Sequence, residues 1–431
     1  MAESSRMSKF VQNGASSAGG FWRVESPLLF AIFLDLIGFG MSFPDLQLRA
    51  ADFARAAGFK GVLVGAIVGL LLSTYFLVQI LASPKWGRLS DRIGRKPVLL
   101  FCTALSAISM LVYAFATGIA GILLSRILAG LAAANVVVGQ AYVADTTTEA
   151  NRAAKMGRIG AAITIGLIAG PAIGGELAAM GGNKLMGLAA AGASTLSFLW
   201  LLITLPRARP TEVRSPGTHP MGDLRLIFDI PALKKLFLLG AISWFALACL
   251  EGTFGRLIEL KLGYGQSEFG RVFSFESAVG ALAGLAVGRL AFRYSPSAIL
   301  KAAYLMLAVG LMLTPFAGNL GEYLGFAQAW VRPPLLALFI ITALSAFGLG
   351  LANPTLSTLC SNVTPEARQG EMFGLLQSAR SIGFLAGPLL GGILFELLPE
   401  GPYFLAGIVG LFAAFLVTAP SKADGARQVE S

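Results

Sequence analysis

Long apolar segments alternate with short polar ones from about residue 27 almost to the C-terminus. A helix needs about 20 apolar residues to cross a hydrocarbon core about 30 Å thick. Segments of this length are too long and continuous for the strands of a membrane barrel, so each predicts a helix. The twelve predicted membrane-spanning helices, numbered spans 1 to 12, cover residues 27–49, 61–83, 98–117, 119–142, 159–180, 185–205, 233–259, 268–292, 298–317, 334–358, 371–397 and 402–419.

A polar linker rich in Pro, Arg and Thr separates the first six spans from the last six. The fold class that follows is an all-α membrane protein with two pseudo-symmetric halves of six helices each. The predicted divisions are an N-terminal cytoplasmic tail, the two halves with the cytoplasmic linker between them, and a C-terminal cytoplasmic tail: 1–26, 27–205, 206–232, 233–419 and 420–431.

An internal repeat supports the division into halves. Residues 166–175 are GLIAGPAIGG and residues 383–392 are GFLAGPLLGG, and each segment lies in the fifth span of its half. Repeated halves around a cavity at the midplane of the membrane are typical of alternating-access transporters. The pattern therefore indicates a transporter rather than a membrane enzyme or receptor.

Composition agrees with a chain whose main solvent is lipid. Of the residues, 55% are hydrophobic and 13% charged, about half the charged share of a soluble domain. The net charge of +10 comes from Lys and Arg in loops on one side of the predicted helices. This bias predicts that both termini lie in the cytoplasm, and it argues against nucleic-acid binding. We expect a multi-pass protein of the cell membrane, the inner membrane in a bacterium, and a monomer.

The residues needed for enzyme chemistry are scarce. The three cysteines lie in or beside apolar segments, and the one histidine, His219, lies in the polar linker. No arrangement of nucleophile and base or of metal ligands is evident. We therefore expect no catalytic activity, no cofactor and no metal.

The segment after span 2, residues 87–97, is GRLSDRIGRKP. It closely resembles the signature loop of the major facilitator superfamily, G-x-L-x-D-R-x-G-R-[KR]. The resemblance implies a loop that latches the two halves in the outward-facing state, although an ordinary positively charged connector is the alternative. We expect turns and close packing at the glycines, and Asp145 and Arg152 as charge partners of Asp91. The matching positions are Gly87, Leu89, Asp91, Arg92, Gly94, Arg95 and Lys96.

Span 1 carries an acidic residue, Asp35, in the segment FLDLIGFGMSFP. This segment resembles the first helix of tetracycline-resistance efflux proteins and their drug:proton relatives. A carboxylate within a span faces a polar cavity or a partner and can change protonation as its surroundings change. We predict that Asp35 carries the coupled proton. Arg126 matches the family's R-x-x-x-G element in span 4, which implies a role in tuning that proton. The alternative is a structural Asp35–Arg126 salt bridge.

Two further features bear on the branch of the superfamily. Gly170, Pro171, Gly174 and Gly175 of span 5 resemble the motif of the antiporter branch, with simple helix packing as the alternative. The end of span 1 has the sequence PDLQ at 44–47, where the family usually has Pro-x-Leu-Pro. That departure weakens an assignment to tetracycline specifically.

The second half has intramembrane charges of its own, Glu251, Glu276 and Arg380, together with Arg256. They predict a second protonation site or a pocket that attracts a cation. Alternatively, Glu251 or Glu276 neutralises Arg256 or Arg380. Together with the resemblance, these features predict a proton-coupled antiporter that exports small amphiphilic or drug-like molecules by alternating access. Its expected partners are a small-molecule substrate, protons and the lipid bilayer. The alternative function is a proton symporter or facilitator of a metabolite, sugar or lipid.

Overall fold

The structure, a computed structural model, describes residues 26–145, 149–205, 226–323, 333–365 and 368–417. These residues form helices and short connections. A 3₁₀ turn, Thr314–Phe316, lies between two of the helices. The helices are α1 Ser26–Met41, α2 Phe43–Ala56, α3 Val62–Ile93, α4 Arg95–Ala114, α5 Ile119–Ala132, α6 Asn135–Asp145, α7 Glu149–Thr204, α8 Leu226–Asp229, α9 Pro231–Leu262, α10 Gln266–Ala291, α11 Pro296–Leu313, α12 Ala317–Tyr323, α13 Pro333–Val363, α14 Gln369–Leu397 and α15 Gly401–Leu416.

The predicted spans correspond to these helices with four local differences, one of which is the 3₁₀ turn Thr314–Phe316 near the end of span 9. Span 1 is broken at Ser42 into α1 and α2, and span 4 is broken after Ala132 into α5 and α6. Spans 5 and 6 are joined in α7, where the backbone at Gly181 and Gly182 leaves the helical conformation. Ten described helical stretches are long and apolar enough to cross a membrane, and α15 is a shorter apolar helix. The all-α membrane fold is confirmed, and the twelve predicted spans are consistent with it.

The sequence repeat is also a repeat of packing. Gly170 of α7 lies against α1, where a Cβ on this glycine would be 2.8 Å from the Ile37 carbonyl oxygen. Gly387 of α14 lies against α9, where a Cβ would be 2.5 Å from the Ala248 Cβ. In each half, the glycines of the fifth span thus allow close approach to the first span.

The described residues group into two compact units. The first contains residues up to Asp45 together with 77–217, and its apolar core includes Leu28, Val98 and Tyr142. The second contains 46–76 together with the chain from Thr218 onward. Within the second unit α3 packs closely on α14, and the Ser73 hydroxyl donates to the Leu385 carbonyl at 2.8 Å.

Candidate functional site

Asp35 lies in the middle of α1 and is half-buried. The Asn135 amide donates to its Oδ2 at 2.8 Å, and the Ser194 hydroxyl donates to its Oδ1 at 3.3 Å. The Ser106 hydroxyl lies 3.3 Å from that of Ser194. Asn135 begins α6, at the break in span 4. The carboxyl group is therefore surrounded by neutral polar groups from three other helices.

These neighbours suit a carboxyl group that changes protonation. Each serine hydroxyl can donate to a carboxylate or accept from a carboxylic acid by rotating its O–H bond. The amide of Asn135 likewise carries both donors and an acceptor. Asn135, Ser106 and Ser194 were not among the site residues predicted from the sequence. The available signal was an amide side chain within an otherwise apolar span.

Arg126 has a different set of neighbours. It is buried in α5, and its guanidinium carbon lies 5.1 Å from the centre of the Tyr113 ring. The Tyr113 hydroxyl donates at 2.5 Å to Oδ2 of Asp45, which is fully buried at the start of α2. The structure thus joins Asp45, Tyr113 and Arg126 in one cluster, which we call the Arg126 cluster. Asp45 was not among the predicted site residues, and the PDLQ departure was the signal for it.

The structural alternative for Asp35 was a salt bridge with Arg126. In the structure, Asp35 instead accepts hydrogen bonds from Asn135 and Ser194. Asp35 lies in α1 and Asp45 in α2, ten residues later and on the other side of the break at Ser42. The two carboxyl groups therefore have different neighbours. It is the one at Asp45 that shares Tyr113 with Arg126.

The predicted signature loop is mostly helical. Helix α3 continues to Ile93 and α4 begins at Arg95, so Gly94 alone connects them. Gly94 has φ +95° and ψ 158°, a conformation that is essentially restricted to glycine. The expected turn at Gly87 was wrong, because Gly87 lies inside α3. A Cβ added there would meet nothing within 4 Å.

Charged residues of this segment hold the ends of neighbouring helices. Arg95 pairs with Asp91 at 2.6 Å and with Asp145, at the end of α6, at 2.9 Å. Lys96 donates to the carbonyls of Leu202 and Leu205 at the end of α7, where a cation also complements the helix dipole. Asp91 and Asp145 thus both pair with Arg95, which lies between them. The side chain of Arg152 lies outside the described residues.

Substituting Gly94 by Ala is expected to destabilise the protein by about 1–3 kcal/mol, because a side chain is strained in that backbone conformation. Gly87→Ala is the matched control. Its backbone is helical and its Cβ has open space, so its effect should be neutral or slightly stabilising. Thermal unfolding of the purified variants in detergent measures both. Equal stability of the two variants would contradict the assignment of Gly94 as the required turn.

In the second unit, the structure brings together the three charges predicted from the sequence. Glu251 of α9 lies close enough to Arg380 of α14 and to Glu276 of α10 for their charges to interact. The Arg380 guanidinium carbon lies 4.6 Å from the ring centre of Trp244 and 5.5 Å from that of Phe384. We call Glu251, Glu276 and Arg380 the charge cluster.

The contacts of Glu276 and Arg256 bear on whether the charge cluster is a protonation or cation site or a set of neutralising pairs. Glu276 is buried, and its Oε2 has no hydrogen-bond partner among the described residues. Arg256 forms an ion pair with Glu396 and lies 4.5 Å from the ring centre of Phe395. Arg256 thus has its own carboxylate, and within the part of the chain that the structure describes Arg380 is the cation whose charge interacts with Glu251. With two carboxyl groups and one guanidinium, the charge cluster can carry one negative charge in excess, which a bound proton or cation would balance.

The amino-acid sequence is similar to a known family of proteins and to individual members of it. A family model described as Major Facilitator Superfamily matches residues 28–331 and 320–431. The chain is 26% identical over 389 residues to Multidrug resistance protein 2 of Bacillus subtilis (strain 168), covering 89% of this chain and 91% of that protein. It is 30% identical over 369 residues to the class D Tetracycline resistance protein of Salmonella ordonez, covering 84% and 87%.

Solved structures share the fold. A D-xylose-proton symporter superposes with a TM-score of 0.71 at 15% identity, covering 91% of this chain and 96% of that one. The human organic anion transporter MFSD10 (TETRAN) gives a TM-score of 0.60 at 23% identity, covering 92% and 99%. At these identities the likeness concerns the fold alone.

Proposed function

The chain belongs to the Major Facilitator Superfamily of membrane transporters, and from that membership we propose that it is a proton-coupled antiporter exporting small amphiphilic molecules. The observation that carries the proposal is the carboxyl group of Asp35, held within a membrane-spanning helix by neutral hydrogen-bonding groups. The names of the multidrug and tetracycline resistance relatives support export of drug-like molecules.

In the proposed cycle, substrate enters a cavity open to the cytoplasm while Asp35 is protonated. Release of that proton to the cytoplasm leaves a carboxylate that Asn135 and Ser194 stabilise by hydrogen bonds. The halves then rearrange, substrate leaves on the other side, and Asp35 takes up a proton there. Arg126 shares Tyr113 with Asp45 of α2. It would therefore affect Asp35 of α1 indirectly, by a change in the position of α2 relative to α1 at the break at Ser42.

The Arg95 pairs connect the ends of α3, α4 and α6, all of which belong to the first half. The Asp91 and Asp145 side chains are 50% and 34% exposed, and ion pairs at such sites contribute up to about 1 kcal/mol each. Contacts of that strength hold one arrangement without trapping it. We propose that these pairs align the cytoplasmic ends of α3, α4 and α6, so that the first half presents the signature segment to the latch between the halves that the resemblance implies.

Transport by the purified chain in proteoliposomes, with an imposed pH gradient, tests the proposal. The probes are a lipophilic cationic dye and a neutral sugar. For exchange of one proton per substrate, a gradient of one pH unit should drive about a tenfold accumulation of the dye against its gradient. A protonophore should abolish that accumulation. Movement of probe in the same direction as protons would favour a symporter, and downhill movement that ignores the gradient would favour a facilitator.

A further inference from the structure

A buried amide side chain contacts the turn of α9 that carries Glu251. Gln47 of α2 is fully buried. Its Nε2 donates to the backbone carbonyl of Glu251, and its Oε1 accepts from the backbone N–H of Gly255 at 2.9 Å. Both ends of the amide are thus used on one helical turn.

These two backbone groups are themselves partners in an α-helix, because the N–H of residue i bonds the carbonyl of residue i−4. The Gln47 amide therefore lies against the hydrogen-bond ladder of α9 at the position of Glu251. Side chains that insert into such a ladder are a recognised cause of helix bending. Gly255 leaves the space for this contact, since a Cβ there would lie 3.2 Å from Gln47 Oε1 and 3.2 Å from Phe269 Cδ2.

The start of α2, which carries Gln47, is also held by a second hydrogen bond. Asp45 accepts a hydrogen bond from Tyr113 of α4, two residues before Gln47. Residues two apart in a helix are separated by about 200° around its axis, so the two side chains extend from opposite faces of α2. A proline at position 47, as in the family pattern, has no side-chain amide for α9. Because Gln47 bonds the backbone of α9, a movement of α2 would change the hydrogen bonding of the turn that carries Glu251.

We propose that Gln47 is a positioning residue for Glu251. It holds the α9 turn in one of two arrangements, with the amide bridging the ladder. When α2 moves, the amide leaves and the Gly255 N–H and Glu251 carbonyl bond each other alone. The Glu251 carboxyl group then changes its position relative to Glu276 and Arg380. The inference deepens the proposed function by linking span 1 to the charge cluster.

The test measures Glu251 itself, so that it does not depend on transport. A hydrophobic carbodiimide modifies carboxyl groups within membrane helices, and mass spectrometry of the purified full chain gives the rate at each residue. Gln47→Leu removes both hydrogen bonds at similar volume. We expect modification of Glu251 to become several-fold faster, because the turn that carries it is no longer held. Asp35 should react at the wild-type rate.

Gln369→Leu is the matched control, because Gln369 also donates to backbone carbonyls, those of Ser361 and Thr364, away from the charge cluster. It should leave Glu251 unchanged. Unchanged modification of Glu251 in Gln47→Leu would overturn the proposal, and so would an equal increase at Asp35, which indicates general loosening. Should Gln47→Leu fail to fold, Gln47→Met, which also removes both hydrogen bonds but has an unbranched side chain, gives the same readout.

A transport measurement separates this proposal from the proposed function. Gln47→Leu should shift the pH profile of proton-driven export, and it should have no further effect on that profile in a Glu251→Gln background. If the pH gradient drives no export but Gln47→Leu still accelerates modification of Glu251, the proposed function fails and the positioning role stands. Additive effects of the two substitutions on the profile would overturn the positioning role.

Discussion

Asp35→Asn is expected to abolish proton-driven export while substrate binding and counterflow persist. An amide is nearly isosteric with a carboxyl group and binds no proton in the working pH range. Accumulation of the dye should therefore fall from about tenfold per pH unit to no accumulation. Counterflow exchanges labelled for unlabelled substrate without net proton movement, so it should be retained in part. Flux assays in proteoliposomes measure both quantities.

The environment of Asp35 explains why this variant should fold. An asparagine at position 35 can accept from Asn135 with its Oδ1 and donate to the Ser194 hydroxyl with its Nδ2, because a hydroxyl accepts as readily as it donates. No buried polar group then loses its partner. Asp229→Asn, at an exposed ion pair with Arg368, is the matched control and should export normally. Undiminished uphill export by Asp35→Asn would move the coupling site to Glu251 and Glu276.

The apolar segments were sufficient to predict the helices, because lipid requires long helices whose backbone hydrogen bonds are internal. The charged residues within them were equally visible, and so Asp35, Glu251, Glu276 and Arg380 could be selected from the sequence. Membership of the superfamily, predicted from residues 87–97, is confirmed by the family match. The helices and the family could be predicted because each depends on a local pattern, whereas the four charged residues, chosen because a charge is costly in an apolar setting, stay predictions.

Side-chain partners could not be predicted in the same way. A salt bridge with Arg126 was the structural alternative for Asp35, but a charge on one helix has several possible partners on other helices, and the sequence does not select among them. The break at Ser42 and the ten residues between the two aspartates place Asp45, not Asp35, beside Tyr113. Gly87 was wrongly placed in a turn because a glycine in a motif does not show whether its backbone needs positive φ.

The Arg126 cluster gives the second large expected effect. Asp45 and Arg126 are the two opposite buried charges of this cluster and both contact Tyr113. Asp45→Asn or Arg126→Gln alone is therefore expected to destabilise the protein by about 3–5 kcal/mol, because it leaves one uncompensated buried charge in the cluster. Tyr113→Phe keeps the ring beside Arg126 and removes only the hydroxyl, so it should cost about 1–3 kcal/mol. Thermal unfolding in detergent and the yield of monodisperse protein measure these effects.

The double variants decide which aspartate is the counterpart of Arg126. Asp45→Asn with Arg126→Gln removes both charges and should recover most of the stability lost in either single variant. Asp35→Asn with Arg126→Gln should recover none of it, since Asn135 and Ser194 already satisfy Asp35. Rescue by the second pair and not the first would reinstate the Asp35–Arg126 salt bridge. If the rescued Asp45/Arg126 variant also exports against the dye gradient, the cluster is structural; if it is stable but cannot, the cluster takes part in coupling, because stability and proton-driven export then separate in one protein.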